Sequence, residues 1–314
     1  CWRWPAPTAA RCDGRPRGRG MRVAVVGATG LIGGAVARAL AARGDAVVAV
    51  SRRGAAGIAG AEEVRWDPAE GPPPDAVVIG VDAVVNLAGA PIEARRWTAA
   101  RKREIRESRV LTTRLIAERV GGEGGAPVLV NASAVGYYGP RGDEVLTEES
   151  APGRDFLAET CVAWEREAAG AEARGTRVVL LRTGIVLSPR GGALPKLALP
   201  VRLMVGGPIG GGRQWVPWIH EDDEAGIILH ALDRDDVTGP LNLAAPEPVR
   251  QRDMAAAMGR ALGRPAVVPT PAIALRLALG ELATLALDGQ RAVPRAALGA
   301  GYAFRFTDVE AALR

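Results

Sequence analysis

Short apolar runs alternate with amphipathic stretches along most of the chain. MRVAVVG (21–27) is β-branched and closed by glycine, and it reads as a strand. LIGGAVARALAAR (31–43) carries apolar residues at helical spacing and stops at Gly44, a residue suited to a helix C-cap. AVVAV (46–50) is a second buried strand, which completes a βαβ unit. DAVVNLAG (82–89), PVLVNAS (127–133) and RVVLLRTGIVL (177–187) read as further strands, with helices over 98–120 and 157–173. This alternation predicts an α/β fold built on a Rossmann-type doubly wound parallel sheet.

The texture changes after Ser188. Residues 188–216 are rich in Gly and Pro, with GGPIGGG at 206–212, and read as a long loop region or small subdomain. Residues 221–234 form a helix with an acidic first turn, and LNLAA (241–245) a short strand. Helices are expected at 250–262, 271–287 and 308–313. The domain division that follows has a disordered extension at 1–20 and a nucleotide-binding domain at 21–187, its sheet completed within 217–245. A smaller, mainly helical substrate region then comprises 188–216 and 246–314.

Composition narrows the function classes. The 314 residues are 48% apolar and 24% charged, which suits a globular protein with a core. The net charge of +5 misleads, because five arginines and one aspartate in residues 1–20 supply +4 of it. The body therefore lacks the basic excess that nucleic-acid binding needs. No apolar run is long enough to span a membrane. Of three cysteines only Cys161 lies in the body, so neither a disulfide framework nor a Cys-rich metal site is expected. A reducing, cytoplasmic setting fits. Residues 1–20 lack a continuous apolar stretch, so no signal peptide is read there, and Met21 opens the first strand.

Gly27-Ala28-Thr29-Gly30-Leu31-Ile32-Gly33 sits where the first strand gives way to the first helix. Gly27 permits the turn, Gly30 lets the backbone approach a pyrophosphate, and Gly33 lets the helix pack on the sheet. The free amides and positive dipole end of the helix favour phosphate. No acid occurs in 46–61 to accept ribose hydroxyls; Ser51-Arg52-Arg53 follows the second strand instead. A guanidinium pairs with a 2′-phosphate, so the cofactor expected is NADP rather than NAD.

With its G-x-x-G-x-x-G spacing, NLAG (86–89) and NASAVGYYG (131–139), the chain resembles an extended short-chain dehydrogenase/reductase. More narrowly it is similar to an atypical, epimerase-family subgroup with a C-terminal segment of unknown function. ESRVLTTRLI (107–116), GGPIGGGRQWVPWIHEDD (206–223), GRALGRP (259–265), DGQRAVP (288–294) and the closing GYAFRFTDVEAAL carry that likeness. The resemblance implies cofactor contacts at the Gly27–Gly33 loop (Thr29, Gly30, Leu31 and Ile32 included), Ser51, Arg52, Leu87, Ala88, Glu104, Arg109 and Val186.

The acid/base pair of the larger family, Tyr-x-x-x-Lys, is missing. Four residues beyond Tyr137, Tyr138 and Tyr302 stand Arg141, Gly142 and Phe306, and the only lysines are Lys102 and Lys196. Phe156 and Thr160 occupy plausible positions for the pair. Ser133 and Tyr138 remain as catalytic candidates, and with no cationic neighbour Tyr138 is expected to titrate near its ordinary pKa of about 10. Lys196, Gln214 and Trp215, near Arg213 and Trp218, are candidates for a substrate pocket. His220 and His230 lack metal-ligand spacing, and HEDD (220–223) suits a helix cap better than catalysis. Cys161 reads as an inert buried thiol. The expected function is an NADP-binding oxidoreductase or epimerase-like enzyme acting on a small molecule, with a homodimer left open. A non-catalytic NADP(H) sensor or partner-binding protein is the second reading.

Overall fold

The computed structural model describes residues 20–314. The expectation for 1–20 therefore lies, but for Gly20, outside the described residues. Strand β1 (Arg22–Val26) leads into α1 (Leu31–Arg43), β2 (Ala46–Ser51), β3 (Glu62–Arg65), the one-turn α2 (Asp75–Val78) and β4 (Ala83–Asn86). The long α3 (Ala99–Ala117) precedes β5 (Val128–Ala134), a 3-10 turn (Val135–Tyr138), β6 (Val145–Leu146), α4 (Phe156–Ala169) and β7 (Arg177–Thr183). Next come β8 (Ile185–Ser188), β9 (Gly191–Gly192), α5 (Ala193–Arg202), β10 (Trp215–Val216), β11 (Trp218–His220), α6 (Glu221–Asp233) and β12 (Gly239–Leu243). The last part holds β13 (Val249–Arg250), α7 (Gln251–Leu262), α8 (Ala272–Leu279), α9 (Thr284–Leu287), β14 (Arg291–Ala292), α10 (Arg295–Gly299) and α11 (Val309–Leu313).

The main sheet has seven strands in the order β12-β7-β5-β4-β1-β2-β3, and every pairing is parallel. Strand order reverses between β1 and β4, so the crevice of a doubly wound sheet opens there, at the carboxyl ends. Alternating residues of the central strands are buried on both faces. Val23, Val25, Val179 and Leu181 pack towards α1 and α6, and Ala24, Val26, Val178 and Leu180 towards α2, α3 and α4. This double burial explains the unbroken apolar runs in the sequence.

Three expectations are corrected. The single strand expected over 177–187 is two, broken at Gly184. There the chain leaves the main sheet and β8 pairs with β11 and β9 instead. Only glycine fits the corner, since a Cβ would lie 2.1 Å from the Pro217 carbonyl oxygen. The stretch 188–216, expected as a long loop region or small subdomain, contains the ten-residue α5, whose Pro195 and Pro200 disguise it. The helix expected over 271–287 breaks at Gly280, which takes φ +63. Polar β3 at the sheet edge was not legible at all; its EEVR pattern gives no apolar run.

The C-terminal segment is fastened to the sheet domain through α6. Asp223, 1% exposed, accepts from Tyr302 Oη at 3.0 Å and from the amides of Arg305 at 2.8 Å and Phe306 at 2.9 Å. β14 adds a parallel pairing to β6.

Candidate functional site

The glycine loop meets the demands expected of it. Gly27 takes φ +88, and a Cβ on Gly33 would lie 2.2 Å from the Gly27 carbonyl oxygen. Neither position tolerates a side chain without moving backbone. The amides of Gly27 and Ala28 donate to the Val50 carbonyl at 3.0 and 3.2 Å, which ties the loop to the end of β2. Gly30 is the N-cap of α1 and has no side chain to bond the first-turn amides. The amides of Leu31, Ile32 and Gly33 thus lack an intrahelical acceptor and remain for an anion. Thr29 is exposed beside them.

Ser51 is buried at the end of β2, and its hydroxyl accepts from the Gly54 amide at 3.0 Å, which shapes the turn carrying Arg52. Arg52 is exposed and forms no ion pair among the described residues. Leu87 and Ala88 follow β4, and a Cβ on Gly27 would lie 3.1 Å from their backbone. Arg109, on α3, reaches back to the same loop. Its Nη1 donates to the Ala90 carbonyl at 3.1 Å, and the guanidinium lies 5.1 Å over the Trp164 ring. Glu104 pairs with Arg101 at 2.7 Å and faces Arg95 at 3.6 Å, so hydrogen bonding to Arg101 holds its carboxyl below the usual range. Val186 is half-buried against the core under α1, and β9 brings Gly192 to Leu31.

A second constellation lies across β5, β7 and β12, where strand register aligns Ser133, Arg182 and Asn242. Arg182 and Glu165 form a buried, two-pronged ion pair at 2.9 Å. Ser133 Oγ donates to Glu165 Oε1 at 2.6 Å. Tyr138 is fully buried; its hydroxyl accepts from Arg182 Nη1 at 3.0 Å and donates to Asn242 Oδ1 at 2.6 Å. Arg182 also lies 3.5 Å over the Tyr137 ring. Asn242 Nδ2 reaches the Val293 carbonyl at 2.9 Å, joining the network to the C-terminal segment.

This arrangement corrects the reading of Tyr138. It has a cationic neighbour, Arg182, which approaches from the next strand rather than from one helical turn away. Burial nevertheless outweighs that neighbour and pushes the phenol up to about 12. Arg141, four residues beyond Tyr137, pairs instead with Glu144 at 2.8 Å. Ser133 is present at the strand end, but its proton is committed to Glu165. Arg182, Glu165 and Asn242 were missed. The signal available was Arg182, which directly follows the apolar run VVLL (178–181).

The residues expected to form a substrate pocket each have partners of their own. Gln214 Nε2 donates to the carbonyls of Ile209 at 3.1 Å and Ala286 at 2.7 Å, so it ties loops together. Trp215 donates to Asp143 at 2.9 Å and is stacked by Arg250 and Arg291. Trp218 is core. Lys196 alone is exposed, on α5, facing Glu93 at 3.4 Å. His220 caps α6, accepting at Nδ1 from the Asp222 amide at 3.1 Å, as the HEDD reading expected. Cys161 is buried, and desolvation pushes its thiol up to about 12, as suits an inert thiol. No metal-ligand cluster of three or more residues exists among the described residues.

A parallel sheet with a glycine-rich loop at its switch point is shared by many folds, and comparison decides among them. The model of the NAD dependent epimerase/dehydratase family matches residues 23–244, and a domain of unknown function, DUF1731, matches 270–314. The chain belongs to the NAD-dependent epimerase/dehydratase family. Epimerase family protein Mb2239 of Mycobacterium bovis is 41% identical over 292 residues, which cover 93% of this chain and 96% of that protein. The crystal structure of human epimerase family protein SDR39U1 with NADPH superposes with a TM-score of 0.83 at 38% identity, covering 93% and 98% of the two chains. A nucleoside-diphosphate sugar epimerase from Corynebacterium glutamicum reaches 0.75 at 37% identity, covering 94% of this chain and 57% of that one. The atypical short-chain dehydrogenase/reductase resemblance is thereby borne out, and the NADPH of the human relative agrees with the cofactor expected here. Residues 245–269, which hold α7, lie between the two matched segments.

Proposed function

We propose that this protein is an NADP(H)-dependent oxidoreductase of the short-chain dehydrogenase/reductase type, acting on a small-molecule carbonyl or alcohol. The observation that carries the reading is Arg52, an exposed cation just past β2 with no ion pair among the described residues, where a ribose-binding acid would otherwise stand. Gly27–Gly33 would hold the pyrophosphate, Ser51 and Arg52 the 2′-phosphate, and the backbone of Leu87 and Ala88 the adenosine side. Arg109 and Glu104 flank that side from α3, and Val186 would lie against the nicotinamide. NADP(H) supplies hydride transfer when bound.

The chain's own groups orient and exclude water rather than exchange protons. Ser133 and Tyr138 are held in a closed network, and Phe156 stacks edge-on against Trp97 with ring centroids 5.3 Å apart. None of these groups is poised near neutral pH as a general acid or base. Slow turnover, with the proton drawn from water, follows. A reducing cytoplasm suits the lone buried thiol Cys161, and no described helix is long and apolar enough to cross a membrane.

The non-catalytic reading, an NADP(H) sensor, is favoured by the same closed network. A screen of aldehydes, ketones and nucleotide sugars for NADPH oxidation separates the two. Turnover above the buffer rate that survives Tyr138→Phe supports the oxidoreductase. Tight NADPH binding with no turnover on any compound supports the sensor.

A further inference from the structure

The chain enters α3 through Arg95 and Arg96 to the N-cap Thr98, and Arg101 and Glu104 follow in the first two turns. Arg95, Arg96, Thr98, Arg101 and Glu104 line a cavity of about 450 Å³, together with Ala100. Its wall thus carries three guanidiniums and one carboxylate. Glu104 has Arg101 Nη1 at 2.7 Å and Arg95 Nη2 at 3.6 Å. Hydrogen bonding to Arg101 does most to hold the Glu104 carboxyl low, and the charges of Arg101, Arg95 and Arg52 add to it. Arg52, on the turn after β2, therefore acts on the same carboxylate as the arginines of the α3 side.

The other charges nearby do not cancel this excess. Lys102 pairs with Glu281, and Glu93 faces Lys196 at 3.4 Å. Arg96 donates to the Leu277 carbonyl at 3.3 Å, a neutral acceptor that leaves its charge uncompensated. Arg53, exposed beside Arg52, adds to the same sign. Arg101 is the telling member. Its side chain is 5% exposed, and it bonds the Pro91 carbonyl and Glu104. Its buried Nε nevertheless has no acceptor among the described residues. A buried cationic N–H left unmade is costly, and an anion in the cavity offsets that cost. The contact between Arg95 and Glu104 is too long for a hydrogen bond, so Arg95 can turn to a new partner at small cost. Forked donors in excess over carboxylate suit a phosphate monoester dianion. The pyrophosphate already has the first-turn amides of α1, so the 2′-phosphate is the anion that Arg52 and this cavity share.

We infer that the 2′-phosphate of NADP(H) is held from the α3 side by Arg95 and Arg101 as well as from β2 by Arg52, and that Arg95 is a determinant of cofactor choice. The inference rests on the NADP(H) reading of the proposed function. Arg95 is the residue to change, because its side chain is 71% exposed and its loss is compatible with folding. NADPH, NADH, adenosine 2′,5′-bisphosphate and 5′-AMP are titrated by calorimetry into the full protein and into Arg95→Ala, Arg95→Lys and Arg103→Ala. Arg95→Ala should weaken NADPH and the bisphosphate by at least about fivefold and leave NADH and 5′-AMP nearly unchanged. Arg95→Lys, which keeps the charge without the fork, should fall in between. Arg103→Ala removes a charge from the same helix outside the cavity wall and should alter none of the four. A loss in Arg95→Ala that NADH shares equally marks a structural role and overturns the inference. Inorganic phosphate should compete with NADPH. Phosphate that binds beside NADPH and is lost in Arg95→Ala would give the cavity to a separate ligand, and overturns it too. A parent protein that binds NADH as well as NADPH sinks the NADP(H) reading and this inference with it. A parent preference that survives intact in Arg95→Ala sinks this inference alone.

Discussion

The Tyr138 hydroxyl donates to Asn242 Oδ1 at 2.6 Å, across a strand boundary and wholly inside the protein. With Arg182 bonded to the same oxygen, the phenol is a structural joint between β7, β12 and the turn after β5. Tyr138→Phe should leave NADPH affinity within about twofold. It should lower stability by about 1–3 kcal/mol, because Asn242 and Arg182 each lose a buried partner. Urea denaturation and NADPH fluorescence titration check the two halves.

The ion pair beneath it should matter more. Glu165 and Arg182 are both buried, with side chains 10% and 5% exposed. Removing one charge leaves the other uncompensated at a cost of about 3–5 kcal/mol. Arg182→Met is therefore expected to destabilise more than Tyr138→Phe, and Arg182→Met with Glu165→Met less than Arg182→Met alone. A double-mutant cycle by denaturation measures it.

Most of the sheet was legible because buried parallel strands write continuous apolar runs, as in 21–27 and 127–133. The glycine loop was legible because close backbone approach demands glycine at Gly27 and Gly33. The polar network was not. It arises from register between β5, β7 and β12, and register is a property of pairing that no local window contains. Tyr138 illustrates the difference. Its sequence neighbours suggested an isolated phenol, while its partners Arg182 and Asn242 lie 44 and 104 residues away. Helix α5 was hidden because Pro200 in its last turn and the glycines after it mimic a loop.

Glu224 gives a pH signature. It is buried on α6, its Oε1 accepts from Thr183 Oγ1 at 2.8 Å, and its Oε2 has no partner. Desolvation pushes its pKa up to about 8, from 4.5. The folded state thus holds a proton that the unfolded state releases between those values. Stability from this group is greatest below about pH 4.5, falls as pH rises towards 8, and is flat beyond. Glu224→Leu should stabilise the protein by a few kcal/mol at pH 8 and little at pH 4.5, read from denaturation midpoints at both.

Asp223 is the anchor of the C-terminal segment. Asp223→Ala releases Tyr302 Oη and the Arg305 and Phe306 amides, and should cost about 2–4 kcal/mol. Limited proteolysis should then cut within 300–314 faster than in the parent protein.

The most direct test of the account is a paired titration of NADPH and NADH into the parent protein and Arg52→Asp. The account predicts that the parent prefers NADPH by at least about tenfold, the worth of one charge-assisted phosphate contact. It predicts that Arg52→Asp loses that preference by weakening NADPH while NADH is nearly unchanged. Equal binding of the two cofactors by the parent protein would contradict it.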